Sequence, residues 1–286
     1  MQNMKTKNIT VYSPDSSIRH PARMLADMFH DVFAGRQLAW QLAVRDIRAQ
    51  YRQAFLGIFW ALILPLANTV TWIFLNRTGI VSVAETSLPY PIYVFTGTMI
   101  WAIFMDALNA PLMQTTAAKS MLAKINFPHE ALIMSGIIQT LFTGSIKTGL
   151  VIVVLLLFGI SPDWHLILFP LAVISMILVG TTVGLLITPI GLLYTDVGKG
   201  IPLVMQFLMF VSPVVFPVPT AGWAAKIFEL NPLTPLILVA RDWLTGVPTE
   251  SIWPFLSINF LFLVVLLAVS VIYRLAMPIM IERIGS

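Results

Sequence analysis

The sequence predicts an all-α integral membrane protein with six transmembrane helices, an amphipathic N-terminal interface helix and short external re-entrant helices between spans five and six. Two observations on composition predict the class: 58% of the 286 residues are hydrophobic and only 10% are charged, whereas soluble domains carry about 25% charged residues. The third is the spacing of the charges. They leave several uncharged runs of the length, about 20 residues, that crosses a bilayer core.

The first 35 residues are polar and have no apolar stretch ahead of a cleavage site, so we expect a cytoplasmic segment and no removable signal peptide. Residues 36–56 follow as an amphipathic helix. At 100° per residue, Arg45, Arg48 and Arg52 share one side. Beside it lies an apolar side formed by Trp40, Val44, Ile47, Tyr51 and Phe55. This pattern is typical of a helix at a lipid surface, and no nucleic-acid role is expected.

Runs with few or no charges place the six spans at 53–76, 86–113, 131–162, 166–195, 201–216 and 251–273, and the only charged residues within them are Asp106 and Lys147. Span five is stopped at 216 because Pro213, Pro217 and Pro219 remove backbone donors and obstruct a helix. The transmembrane domain is thus 57–277, with a coupling loop at 114–130 and a cytoplasmic tail at 278–286. The external segment 217–250 is expected to hold two short helices, about 221–230 and 233–245, or to be a plain external loop.

The basic residues predict the orientation. Most of the 17 lysines and arginines fall before span one, in the loops after spans two and four, or after span six. Since positive charge accumulates in cytoplasmic loops, both termini are expected in the cytoplasm. The compartment predicted is the bacterial inner membrane.

Several chemistries are not expected. Cysteine is absent and the four histidines are scattered, which argues against a metal site or a catalytic cluster. No GxxxxGK[ST] loop occurs, so ATP binding by this chain in that way is not expected. We expect no cofactor in this chain.

Three stretches carry a family resemblance. The pattern R-D-x-[KR]-x-x-Y-[KR]-x-[SA]-x-L-G-x-x-W-x-[IL]-x-x-P runs from Arg45 to Pro65. LAKINFPHEALIMSG occupies 122–136, and LYTDVGKGIPLVMQFLMFVSPVVFPV and NPLTPLILVARDWLTG follow at 193–218 and 231–246. In this order they resemble the permease subunits of type-2 ABC exporters, in the polysaccharide-export branch. One departure is His129, where many relatives carry arginine.

The resemblance implies a half-transporter. Two copies would form the pore, and two copies of a separate ABC ATPase, which binds ATP and Mg²⁺, would dock on the cytoplasmic side. The implied substrate is a lipid-linked glycan such as O-antigen, capsule or teichoic acid, with an O-antigen-like glycan favoured. The implied ATPase contacts are Arg45, Arg48 and Arg52 on the first helix, and Lys119, Lys124, Phe127 and Pro128 in the loop.

A polar stripe in span three is the first candidate for the substrate path. Ser135, Gln139, Thr143 and Lys147 recur at i+4 spacing, and a charge at mid-helix costs about 2.5–3.5 kcal/mol. The stripe either faces the path or packs against another span with Lys147 neutralised by Asp106. Helix rise puts these two groups about 12 Å apart in depth, unless span three enters the membrane later.

Aromatic side chains are the second candidate, because sugar rings stack on them. The available residues are Trp60, Trp72, Trp101, Phe207 and Phe210. The alternative is an aromatic belt at the membrane interface.

An ion-coupled secondary transporter using Asp106 and Lys147 is the alternative function, although the six spans show no internal repeat of the kind common in that class. An intramembrane enzyme is disfavoured because no acid–base cluster is evident.

Overall fold

The computed structural model describes residues 28, 30–52, 60–81, 83–84, 86, 88–122, 129–161 and 163–285. Throughout that part of the chain the regular structure is helical, as predicted, and no strand occurs. The α-helices are α1 (Arg36–Arg52), α2 (Trp60–Arg77), α3 (Tyr90–Ala117), α4 (Lys119–Leu122), α5 (Glu130–Leu157), α6 (Phe169–Leu193), α7 (Thr195–Phe210), α8 (Gly222–Leu230), α9 (Leu233–Thr245) and α10 (Ile252–Gly285). A short 3-10 helix, Trp164–Leu168, leads into α6.

Among the described residues, four helices are long and apolar enough to cross a membrane. They are Tyr90–Ala117, Glu130–Leu157, Trp164–Leu193 and Ile252–Met280, which correspond to predicted spans two, three, four and six. Helix α2 has 18 residues and α7 has 16. At 1.5 Å per residue they are about 27 and 24 Å long, short of a core of about 30 Å. The count of six spans therefore stays a prediction.

Several helix ends differ from the sequence prediction. Helix α3 continues to Ala117, so the first residues assigned to the coupling loop are helical. Helix α7 ends at Phe210 and 211–216 form turns, so the predicted helical span to 216 is wrong at its end. Pro213 lies inside that stretch, where it removes a donor and obstructs the preceding turn. Helix α10 runs through the predicted tail as far as Gly285.

Helix α3 lies at the centre of the bundle. In its most apolar stretch 78% of residues are buried, compared with 11% for α10, and its most extensive packing is against α6. Small residues allow α3 and α6 to lie close together. A Cβ on Gly180 would lie 2.7 Å from the Cβ of Ala107, and one on Gly184 would overlap the Leu108 carbonyl oxygen. Glycine at such positions lets membrane helices pack backbone to backbone.

An ion network joins three elements at one end of the bundle. Arg274 of α10 pairs through Nη2 with Asp31 at 2.6 Å and through Nη1 with Glu130 at 3.0 Å. Asp31 lies in the segment ahead of α1, and Glu130 begins α5. Burial and the nearby Arg274 charge lower the pKa of His129, which keeps its imidazole neutral at pH 7. The network fixes the position from which α1 starts.

Candidate functional site

The basic face of α1 is the first candidate site. Arg45, Arg48 and Arg52 are exposed. Together with Trp40, Gln41, Val44 and Ala49 they form one open side of the helix. Arg45 is held by Asp46, with 2.7 Å between Nε and Oδ1. The three guanidinium groups thus lie side by side on one face, where a partner surface of opposite charge can reach them.

The apolar side of α1 that was predicted to lie at a lipid surface is not the side that packs against the bundle. Trp40 is 60% exposed, whereas Ala39, Leu42 and Ala43 are buried and α1 packs against α5. The small side chains of Ala39 and Ala43 let the two helices approach each other. The contact of α1 with a lipid surface stays a prediction, and Phe55 lies outside the described residues.

One apolar cluster, which we call the Leu42 cluster, connects α1 with the short helix α4. The cluster contains Leu42 of α1, Leu122 of α4, Leu132 of α5 and Tyr273 of α10, together with Ala118, Leu185, Leu192, Val269 and Met277. Lys119 is exposed at the start of α4. The other predicted loop contacts, Lys124, Phe127 and Pro128, lie outside the described residues. The two elements assigned to ATPase contact are therefore joined through a common core.

The polar stripe of α5 faces other helices. Ser135 is fully buried. Gln139 donates through Nε2 to Asp46 Oδ2 on α1 at 3.2 Å and to Ser135 Oγ at 3.4 Å. Thr143 donates through Oγ1 to Asp106 Oδ2 on α3 at 2.9 Å. The stripe thus forms a seam that joins α5 to α1 and α3.

Lys147 completes the seam by pairing with Asp106. Its Nζ lies 2.6 Å from Asp106 Oδ2 and donates to the Ala102 carbonyl oxygen at 3.2 Å. The side chains are unequally exposed, 8% for Lys147 and 38% for Asp106. Helix α3 extends to Ala117, which puts Asp106 about 17 Å from the helix end and reduces the depth difference estimated from the sequence. Asp106 is therefore the accessible member of the pair.

The predicted aromatic set divides into separate places. Trp72 of α2 meets Phe210 of α7 edge to face, with ring centroids 5.8 Å apart. Trp101 is buried beside Phe104 at 5.2 Å, and Phe207 is 68% exposed. The side chain of Trp60 lies outside the described part. Which of these rings line a path stays a prediction.

The segment 217–250 holds a residue whose importance the sequence did not reveal. Helices α8 and α9 lie where two short helices were predicted. Arg241 of α9 was expected only as one of the basic residues on the outer side, yet it is 2% exposed. The signal was available in the sequence: Arg241 interrupts the apolar run LTPLILVA and shares its side of the helix with Ile237 and Leu244.

Comparison with known proteins gives consistent results. The family model of the ABC-2 type transporter matches residues 37–245. An O-antigen export system permease protein (RfbA) of Myxococcus xanthus is 22% identical over 214 residues, 73% of this chain and 81% of that protein. Its namesake in Klebsiella pneumoniae is 21% identical, covering 69% of this chain and 76% of its own length.

A further relative is the polysialic acid transport protein KpsM of Escherichia coli, 22% identical over 209 residues, 70% of this chain and 78% of that protein. The resemblance found in the sequence motifs is thereby confirmed. Together with the apolar helices, it makes the chain a multi-pass membrane protein. The match spans α1 to α9 and covers well over half of the residues, and on that ground the chain belongs to the ABC-2 type transporter family.

Proposed function

We propose that the chain is the transmembrane permease subunit of an ATP-driven exporter of a lipid-linked polysaccharide. An O-antigen-like glycan is the favoured substrate. The proposal rests on family membership and on relatives named for O-antigen export and polysialic acid transport. In this proposal two copies form the pore. Two copies of a separate ATPase subunit bind ATP and Mg²⁺ and supply the energy.

The observation that carries the ATPase assignment is the basic face of α1 and its link to α4. Arg45, Arg48 and Arg52 form one exposed patch, and α1 shares the Leu42 cluster with α4. A force applied to either helix would be transmitted to α5 and α10, which contribute Leu132 and Tyr273 to the same cluster. Such a connection suits a subunit that converts a partner's movement into helix movement.

The proposed topology has six spans with both termini in the cytoplasm of a bacterial inner membrane. Helices α2 and α7 serve as spans one and five. The non-helical stretch 211–216 extends α7, and its residues Val214 and Val215 are fully buried. Irregular backbone at membrane depth is tolerated where protein buries it, which supports counting α7 as a span. Helices α8 and α9 would then form a re-entrant gate on the external side.

The substrate path is proposed to pass Asp106 and the Trp72–Phe210 pair. Lys147 is neutralised by Asp106, so its role is to hold the carboxylate in place. Asp106 Oδ2 accepts hydrogen bonds from Lys147 and Thr143, and the half-exposed carboxylate is available to sugar hydroxyls. The aromatic rings offer stacking surfaces for the sugar ring faces. Recognition of a substrate phosphate by Lys147 would have to compete with this carboxylate.

Deletion of the gene tests the proposal. We expect one surface polysaccharide to disappear from the cell surface and its lipid-linked form to accumulate inside, because synthesis continues while export stops. Surface glycans are separated on gels and lipid-linked glycans are extracted and weighed by mass spectrometry. Expression of the intact gene from a plasmid should restore the surface glycan. An unchanged surface and lipid-linked glycan profile in the deletion strain would contradict the proposed substrate class.

A further inference from the structure

The segment 211–216, which follows α7, is buried although it is not helical. Ser212, Val214 and Val215 have no exposed surface. Backbone carbonyl groups that leave a helix need other hydrogen-bond donors when they are buried. Here they find them in other elements: Asn231 Nδ2 donates to the Val211 oxygen at 2.9 Å, and the Tyr93 hydroxyl lies 3.3 Å from the oxygens of Pro213 and Phe216.

Arg241 of α9 makes the shortest of these contacts. Its Nη2 donates to the Pro213 oxygen at 2.7 Å and to the Val214 oxygen at 3.3 Å. The same nitrogen reaches the Tyr93 oxygen at 3.4 Å, and Nε reaches Thr96 Oγ1 at 3.4 Å. The guanidinium carbon lies 3.7 Å from the centre of the Tyr93 ring. One side chain thus joins α9, α3 and the segment 211–216.

The surface of α3 is shaped for this contact. Gly97 lies where a Cβ would overlap the Val214 oxygen and would come within 2.6 Å of Arg241 Nη2. Only a residue without a side chain lets the segment and the guanidinium approach α3 at that point. Three separate features, Gly97, the Tyr93 ring and the freed carbonyls, therefore favour the same position of Arg241.

The contact between Arg241 and the segment 211–216 can be broken, because of the kind of partners that Arg241 has. In the part of the chain that the structure describes, it forms no ion pair with a carboxylate; it is held by carbonyl dipoles and a ring face. The carbonyls belong to a turn, so releasing them does not require a helix to unwind. The hydrogen bonds of Arg241 to these neutral partners are thus weaker than an ion pair with a carboxylate.

We infer that Arg241 is a positioning residue that holds α9 and the segment 211–216 against α3, and that the external end opens when these contacts break. This inference rests on the proposed function, in which this end is the exit. Opening would expose Val215, which is fully buried in the structure, and would leave the cytoplasmic-end network at Arg274 unchanged.

Cysteine labelling tests the inference directly, because the chain contains no cysteine. A single cysteine replaces Val215, and membranes are extracted into polymer-bounded nanodiscs, which keep bound partners and leave both faces open to a water-soluble maleimide. Arg241→Met is expected to raise the labelling rate at least about tenfold, as local opening does for a buried site. Tyr93→Phe, which removes only the hydroxyl, should raise it about threefold, and Arg241→Lys should fall between Arg241→Met and the parent.

Matched controls separate local opening from general loosening. Lys226→Met removes an exposed cation from the neighbouring helix α8 and should leave the rate unchanged. A cysteine in place of Leu132, which is buried in the Leu42 cluster at the opposite end of α5, should stay slow in every variant. Equal rates at Val215 in Arg241→Met and its parent, or a parallel rise at Leu132, would overturn the inference. If Arg241→Met does not accumulate, an unchanged rate in Tyr93→Phe overturns it.

Comparing the labelling rates with the glycan profile of the deletion strain distinguishes a failure of this inference from a failure of the proposed function. Faster labelling at Val215 with no glycan defect in the deletion strain would support the Arg241 contact and contradict the export assignment. Unchanged labelling with a clear glycan defect would contradict the contact alone.

Discussion

Replacing Asp106 with Asn is expected to destabilise the bundle more than replacing Lys147 with Met. Removing one partner from a buried ion pair costs about 3–5 kcal/mol. We expect about 3 kcal/mol for Asp106→Asn, at the lower end, because the carboxylate itself is partly exposed. Asp106→Asn leaves the buried ammonium of Lys147 with neutral acceptors alone, the Ala102 carbonyl and the amide oxygen of the new side chain, whereas Lys147→Met leaves Asp106 accessible and still bonded to Thr143. The measurement is thermal loss of monodisperse protein in detergent.

The double variant Asp106→Asn/Lys147→Met separates folding from transport. It removes both charges, so stability should return to near the parent value. Export should nevertheless stay below about a fifth of the parent rate, because an ionisable group kept inside a membrane is by default a functional one. Full export by the stable double variant would show that the pair only joins α3 and α5, as would unchanged export by Lys147→Ala in an intact complex. Thr148→Val, on the same helix, is the control.

Charge reversal of Arg45, Arg48 and Arg52 to Glu is expected to abolish assembly with the ATPase. Like charges brought together at an interface cost several kcal/mol, and about 1.4 kcal/mol is a factor of ten in affinity. We therefore expect at least about a hundredfold less co-purified ATPase. The measurement is the ratio of the two subunits after affinity purification, with surface glycan assayed in the same cells.

Two controls test whether the loss of assembly depends on the positive charges of α1. Replacement of the same three residues by Lys preserves the charge and should retain most of the assembly. Reversal of the exposed residues Lys199 and Lys226 changes the net charge without touching α1, and should have little effect. Membrane insertion should be largely intact in all variants, since basic residues elsewhere in the N-terminal region remain. Normal subunit ratios in the Glu variant would remove α1 from the proposed interface.

The positions of the membrane-length helices and of α8 and α9 could be predicted from the sequence. Runs with few or no charges located the four helices that are long enough to span a membrane, and the apolar spacing within the Pro- and Gly-rich segment 217–250 located α8 and α9 within a residue or two at each end. Both signals depend on local chemistry: burying a charge or breaking a helix has a cost wherever the element lies. That is why they could be read without knowledge of the packing.

Features that depend on which surfaces meet could not be predicted in this way. The side of α1 that packs against α5 is set by Ala39 and Ala43, which have little apolar area, so the pattern of large apolar residues revealed only the side with Trp40. The Lys147–Asp106 contact depends on where α3 ends, and that end was placed too early. Arg241 was counted only as a charge, because its partners are backbone carbonyls that become available only after α7 ends at Phe210.

The most direct test of the central claim is purification of the native complex followed by transport in lipid vesicles. We predict that the chain co-purifies with a second protein that carries a phosphate-binding loop, and that vesicles containing both move a lipid-linked glycan only when ATP is supplied. An ion gradient without ATP should give no transport. Full transport by this chain alone, driven by an ion gradient, would contradict the account and favour a secondary transporter built around Asp106 and Lys147.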